Sequence, residues 1–278
     1  MSYQFQSGKL YRMPTHFGPS VGPRQGPDGC RYECRHGPNV TAVAVNFRTD
    51  REQLAALLPD RFDVGTDPIV TVYATYMTDI EWLAGRGYNT LGVTFPAVFR
   101  GEVDRASGQF LAVLWENLAD PIISGREELG FSKLYCELPE PKVLPREVQC
   151  RASWLGFTFL DFKVENIEAQ SRDQIDEFIA GQTDDGRLHY KYVPKTGRWG
   201  EADAAYAVLT PAAIPNQVVR ERSVGEGTVR FHRATWEQLP TLFHIVNTLG
   251  ALEIKEYVGA SVTKTVGYKD FSDQRILQ

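Results

Sequence analysis

From residue 41 onward the chain is cut into short apolar stretches, rich in β-branched and aromatic residues, by turn residues at hairpin-like intervals. The stretches cover residues 41–47, 69–77, 90–95, 110–115, 131–136 and the longer 148–164, where Trp154 and Phe162 are expected to share a face; strand-like sequence resumes over 252–268. No regular alternation of strand and long helix occurs, so a doubly wound parallel sheet is not expected. The pattern predicts a mainly β (α+β) fold built on an antiparallel sheet system. Three helices interrupt it. Thr49-Asp-Arg-Glu52 has capping-box spacing ahead of Leu54, Leu57 and Leu58, and Ser171-Arg-Asp-Gln174 stands ahead of Ile175, Phe178 and Ile179. Thr235-Trp-Glu-Gln238 opens the clearest one, with Leu239, Leu242, Phe243, Val246 and Leu249 at helical spacing and Pro240 early in it.

The first forty residues differ. Repeated Gly-Pro pairs favour an extended arm, which would suit contacts with a neighbouring subunit. Residues 41–278 show no repeat and no composition break, and are expected to form one domain. A chain of 278 residues can bury a core large enough to hold a pocket. With 42% hydrophobic and 23% charged residues it reads as a soluble globular protein. A net charge of −5 with scattered basic residues argues against a nucleic-acid partner. Neither a signal-like N-terminus nor a run of roughly 18 apolar residues is present, so a cytoplasmic protein with no membrane partner is expected. Cys30, Cys34, Cys136 and Cys150 are expected as free thiols. Cys30, Cys34 and His36 lack a second ligand pair, and no metal is expected. His244, beside the apolar stripe of the last helix, reads as a structural, hydrogen-bonded histidine.

Nucleotide signatures are missing: there is no Gly-x-Gly-x-x-Gly after a strand and no phosphate-binding loop, and Gly85-Arg-Gly87 reads as a hairpin turn. The Gly-x-Ser-x-Gly nucleophile elbow is absent too. No cofactor is expected. What stands out is Gly125-Arg-Glu-Glu-Leu-Gly-Phe-Ser-Lys133, which places a lysine at the head of an apolar run with Phe131 and Tyr135 two residues to either side. In water only about one lysine in 2,500 is neutral at pH 7. Burial can lower the pKa by roughly 3 to 5 units, and the neutral amine can then add to a ketone to form an imine. The alternative is a stem laid along the rings with its ammonium in solvent.

The stretch from Gly125 to Lys133 resembles the signature of the acetoacetate decarboxylase superfamily, in which Gly-Arg-Glu precedes an imine-forming lysine. Asn46-Phe-Arg-Thr-Asp50, the Leu-rich helix ending at Pro59, Pro68-Ile-Val-Thr-Val, Gly87-Tyr-Asn and Leu114-Trp-Glu-Asn follow in the family's order. The resemblance implies a cone-like closed antiparallel β-barrel with flanking strands and a few short helices, a homo-oligomer, and Lys133 as the Schiff-base residue. It implies Glu116, Glu127 and Tyr73 as further catalytic candidates, and Arg126, Tyr76, Tyr88, Thr90, Phe131 and Leu134 as substrate-binding ones. Arg126 and Glu127 could equally be ion-paired braces of the turn. This chain has Leu134 where the decarboxylases carry a second lysine, Thr90 and Tyr73 near their two glutamates, and Val40 near their arginine, whose role would fall to Arg31, Arg35 or Arg48. The expected activity is therefore a lyase acting on a small oxo acid, of the aldolase-dehydratase or hydratase type. A β-keto acid decarboxylase and a non-catalytic barrel holding an apolar ligand are the alternatives.

Overall fold

The computed structural model describes residues 3–278; the first two residues of the expected arm lie outside the described range. The arm contains one short helical turn, Thr15–Phe17, and an isolated bridge between Gly22 and Gln25, and regular structure begins at residue 39. In chain order follow β1 (Asn39–Arg48), α1 (Arg51–Ala55), β2 (Phe62–Val64), β3 (Ile69–Ile80), β4 (Arg86–Arg100) and β5 (Arg105–Glu116). Next come α2 (Ala119–Ser124), β6 (Lys133–Tyr135), β7 (Lys142–Leu144), β8 (Glu147–Trp154), β9 (Phe157–Ala169) and α3 (Arg172–Ala180). The chain ends with β10 (Gly186–Pro194), β11 (Ala202–Pro211), β12 (Val218–Phe231), α4 (Phe243–Gly250), β13 (Glu256–Val266) and β14 (Arg275–Ile276). No described helix is long and apolar enough to cross a membrane.

Among the described residues fourteen strands form one sheet, ordered β14-β11-β10-β5-β4-β3-β1-β13-β12-β9-β8-β7, with β2 added to β4 and β6 to β5. Only β10 and β6 run parallel to their neighbour β5; the other pairs are antiparallel. The mainly β architecture with few short helices agrees with the sequence pattern. The strand pairing, however, leaves the sheet open where the resemblance implied a closed barrel. Between β6 and β8 only the isolated bridge of Glu137 with Ser153 crosses, with N–H···O distances of 2.8 and 3.0 Å.

Because side chains alternate along a strand, the sheet has two chemically different faces. Val43, Val45, Val72, Ala74, Leu91, Val93 and Trp115 point into the main core, together with Val246 and Leu249 of α4. The other face carries a smaller cluster: Leu111, Leu114, Leu129 and Phe131, with Tyr73 and Phe271 packed on it.

Four expectations are corrected by the structure. The run over 148–164 is a hairpin of β8 and β9, because Leu155 and Gly156 both take positive φ, 46° and 83°; Trp154 and Phe162 reach the main core from its opposite strands. The last helix starts at Phe243 rather than Thr235, since Pro240 has no N–H to continue the ladder, although Leu239 and Leu242 are still buried. In α3 the expected capping box forms and Ile175 is buried, but Phe178 faces outward with the Arg222 guanidinium 4.0 Å from its ring centre. His244 is also exposed; the buried histidine is His189.

Candidate active site

Asymmetry between the sheet faces creates the site. β3, β4 and β5 present Tyr73, Thr90 and Glu116 on the side away from the main core, and cross-strand register sets Tyr73 against Gly92 and Thr90 against Glu116. β6 lies parallel to the end of β5, pairing Lys133 with Leu114. The Lys133 side chain therefore enters the small cluster.

Getting it there depends on the motif that precedes it. After α2 the chain makes one π-helical turn, Gly125–Leu129, and leaves it through Gly130 at φ 77°. A Cβ on Gly125 would sit 2.5 Å from Cδ and Cε of Lys133 and 2.6 Å from its Nζ, so only glycine lets the lysine pass over the turn. Arg126 donates from Nη1 to the Lys133 carbonyl at 2.8 Å and fixes the backbone that carries the amine. Glu127 does not pair with it. Its carbonyl accepts from Lys191 Nζ at 2.8 Å.

Only 7% of Lys133 is exposed. Its Nζ donates to the Pro121 carbonyl at 2.9 Å, lies 2.8 Å from Glu116 Oε1 and stands 5.8 Å from the centre of the Phe131 ring. Burial lowers the lysine pKa below its usual value; the Glu116 carboxylate opposes this, and the Arg24 and Arg187 charges add to it. Glu116 is held above the usual carboxylate range by burial, against the pull of Lys133. Both partners are thus biased towards their uncharged forms, and Glu116 Oε2 has no hydrogen-bond partner among the described residues. Such a pair offers a nucleophilic amine and an adjacent group able to give or take a proton.

A cavity of about 80 Å³ opens on the amine. Met77, Ile80, Leu129 and Phe131 make its lining largely apolar, and Tyr88 and Tyr268 add phenols. The N-terminal arm closes one side through Pro23, Arg24, Gly37 and Pro38. Arg24 is anchored there by Glu128 (Nη2–Oε2 2.5 Å) and by the carbonyls of Asp270 and Ser124. The arm thus packs against its own chain's site.

The structure brings Lys133, Glu116, Tyr73, Tyr88, Thr90 and Phe131 to one side of the sheet. Among the described residues the buried Tyr73 hydroxyl has no partner, and Thr90 shares a 2.6 Å hydrogen bond with Thr75. Four candidates lie elsewhere. Tyr76 points into the main core from the opposite face of β3, because it is an odd number of residues from Tyr73. Leu134, next to Lys133, faces away from it for the same reason, and with Arg126 and Glu127 it lines a separate hollow. Arg31 and Arg35 are exposed and paired with acids, as is Arg48, so none of them replaces the missing arginine. Sequence reasoning missed Arg24, Arg187, Tyr268 and His189. His189 packs at a tilt against Phe131 with ring centres 4.5 Å apart and contacts the Gly130 carbonyl at 3.2 Å through Nδ1; burial lowers its pKa to about 3, so the ring is neutral. The alternation Gly186-Arg187-Leu188-His189 set a cation and an imidazole on one strand face, which was the available signal.

The profile of a protein family described as acetoacetate decarboxylase (ADC) matches residues 12–270. The chain belongs to the acetoacetate decarboxylase family. The family match begins inside the N-terminal arm, in keeping with the arm's place at the site. Among solved structures, the acetoacetate decarboxylase of Legionella pneumophila is similar at 18% identity and a TM-score of 0.65, over 87% of this chain and 88% of that one. An acetoacetate decarboxylase-like enzyme from Sphingomonas wittichii RW1 is similar at 17% identity and a TM-score of 0.62, over 89% and 94%. The enduracididine biosynthesis enzyme MppR, complexed with pyruvate, is similar at 13% identity and a TM-score of 0.59, over 91% and 95%. A comparison with curated protein sequences found no match.

Proposed function

We propose that this protein is a lyase that forms an imine between Lys133 and a small oxo acid, with aldol condensation and dehydration, or the reverse hydration, as its reaction class. The observation that carries the reading is the buried Lys133 amine, 2.8 Å from a buried carboxyl group and open to a small apolar cavity. Similarity to MppR, solved with pyruvate and with the condensation product of pyruvate and imidazole 4-carboxaldehyde, supports it.

In this mechanism the neutral amine adds to the ketone carbon. Protonated Glu116 gives its proton to the departing hydroxyl, water leaves, and the iminium forms. The iminium draws electrons from the neighbouring C–H bond, so the Glu116 carboxylate can remove that proton and leave an enamine. The enamine carbon then attacks an aldehyde, whose oxygen takes the proton held by Glu116; loss of the new hydroxyl as water leaves an unsaturated iminium, and hydrolysis of its C=N bond releases the product and the free Lys133 amine. Tyr73 and Tyr88 stand on the same side as further proton carriers. A second reading, β-keto acid decarboxylation, is favoured by the apolar lining of Met77, Ile80, Leu129 and Phe131, which disfavours a carboxylate and favours its loss as CO₂.

Borohydride reduction in the presence of pyruvate or acetoacetate tests the imine. A substrate-sized mass on the peptide containing Lys133 is expected. No adduct with any oxo acid, or an adduct on Lys191 or Lys269 instead, would refute the reading. CO₂ release measured beside enone absorbance then separates the two reaction classes.

Gly125→Ala provides a geometric check. The new methyl group displaces the lysine from Glu116, so trapping is expected to slow by roughly 10- to 100-fold, as for catalytic groups misplaced by about 1 Å. Gly125 has ordinary helical φ, −71°, so the fold itself should tolerate alanine. Unaltered trapping kinetics, with an unaltered melting midpoint, would show that the close approach at Gly125 does not position the amine.

A further inference from the structure

Arg187 lies on β10, opposite Gln109 of β5, and on the same side of its strand as His189. Its guanidinium stands 5.7 Å from the centre of the Tyr73 ring, and its charge is near enough to Lys133 to disfavour the ammonium form. It lines a cavity of about 170 Å³ whose wall includes Tyr268, Lys269 and Phe271, three residues that also line the Lys133 cavity.

Among the described residues this guanidinium has no ion pair and no hydrogen bond. Asp184 lines the same cavity but accepts from Gln109 Nε2 at 3.3 Å instead. The neighbouring cations are all engaged. Arg24 is held by Glu128, and Lys269 by the Pro211 carbonyl at 2.6 Å and Asp273 at 2.7 Å. Lys191 is held by the carbonyls of Glu127 and Glu128. Arg187 is half-buried where it lines this cavity, and its guanidinium presents five N–H donors in a planar fork that fits a carboxylate. No acid among the described residues pairs with it, so the fork is open to an anion that enters the cavity.

We propose that Arg187 binds the carboxylate of the oxo acid whose ketone reacts at Lys133. The inference rests on the imine reading for the ketone, and assigns substrate recognition to a residue outside the Gly-Arg-Glu motif. It makes the substrate an anion, with a free carboxylate distinguished from its ester by Arg187 alone among the site's cations.

The test compares wild type with Arg187→Met and Arg187→Lys, using borohydride trapping with pyruvate and with methyl pyruvate, which lacks the charge. In Arg187→Met the pyruvate concentration for half-maximal trapping is expected to rise roughly 10- to 100-fold, the range for hydrogen bonds to charged groups. Methyl pyruvate should keep its wild-type half-maximal concentration, with only its trapping rate lowered by loss of the charge that disfavours the Lys133 ammonium, and this also shows that the variant is folded. Arg187→Lys, which keeps the charge but not the fork, should fall between them. Unchanged pyruvate trapping in Arg187→Met would overturn the inference and leave the imine reading intact. Propionate, which has no ketone, separates the two ideas. If wild type traps no oxo acid but propionate raises its melting midpoint and not that of Arg187→Met, carboxylate binding stands and the imine reading fails. If propionate gives no Arg187-dependent rise either, this inference fails as well.

Discussion

Replacing Lys133 by methionine is expected to abolish turnover, a loss on the order of 10⁴-fold or more, because the reacting amine is lost and the nearby amines of Lys191 and Lys269 are engaged elsewhere. The protein should nevertheless fold. A methionine stem fills much of the same apolar space, and Glu116, already biased by burial towards its protonated form, can take a proton when its partner disappears. The signature of that response is a pH dependence of stability with a definite sign. Without Lys133 the carboxyl loses the influence that lowered its pKa, so its folded value rises further above the reference of 4.5. Between the unfolded and folded pKa values the native state then binds more protons than the unfolded one, and stability falls as pH rises. Urea midpoints of Lys133→Met should therefore decrease from about pH 4.5 upward. Full activity in this variant would end the imine mechanism. A flat urea profile would show that Glu116 is not the buried partner described here.

How much of this was readable beforehand differs between backbone and side chains. The strands at 41–47 and 69–77 follow from period-two alternation, because one face of each packs on the main core, whereas 110–115 reads as a continuous apolar run because both of its faces are covered. The hairpin at Leu155-Gly156 escaped the same reading: its turn has leucine where Asn or Asp would announce a positive φ, so the apolar run looked continuous. Lys133 was legible from its motif. Glu116 was legible only as a residue near the end of a strand, since its distance to Lys133 depends on β6 joining β5 in parallel. Arg24 and Arg187 come from an irregular arm and a distant strand, separated from Lys133 by long stretches of chain. No local pattern encodes such a meeting; the sheet order does, and it is fixed by pairings between distant segments. The charge environment also corrects a sequence-level conclusion. Leu134 stands in place of a second lysine, yet the shift of the amine does not rest on burial alone, because Arg24 and Arg187 contribute in the same direction.

Glu116→Gln should separate the availability of the amine from the movement of protons. Loss of the carboxylate removes the main influence that raises the Lys133 pKa, so the amine should be neutral over a wider pH range. The acid limb of imine trapping is therefore expected to move to lower pH. Turnover, in contrast, should fall by about 10²- to 10⁴-fold, because dehydration and enamine formation both need a proton carrier beside the nitrogen. Stability should respond with the opposite sign to that of Lys133→Met. With the lysine pKa lowered below 10.5, the unfolded state binds more protons between the two values, so stability rises with pH across that window and is lost as pH falls. Combining both substitutions removes both titrating groups, and the pH dependence that each creates should vanish together. Parallel slopes in the two single variants, or undiminished turnover in Glu116→Gln, would mean that the 2.8 Å contact is not the proton-exchanging pair on which the mechanism depends.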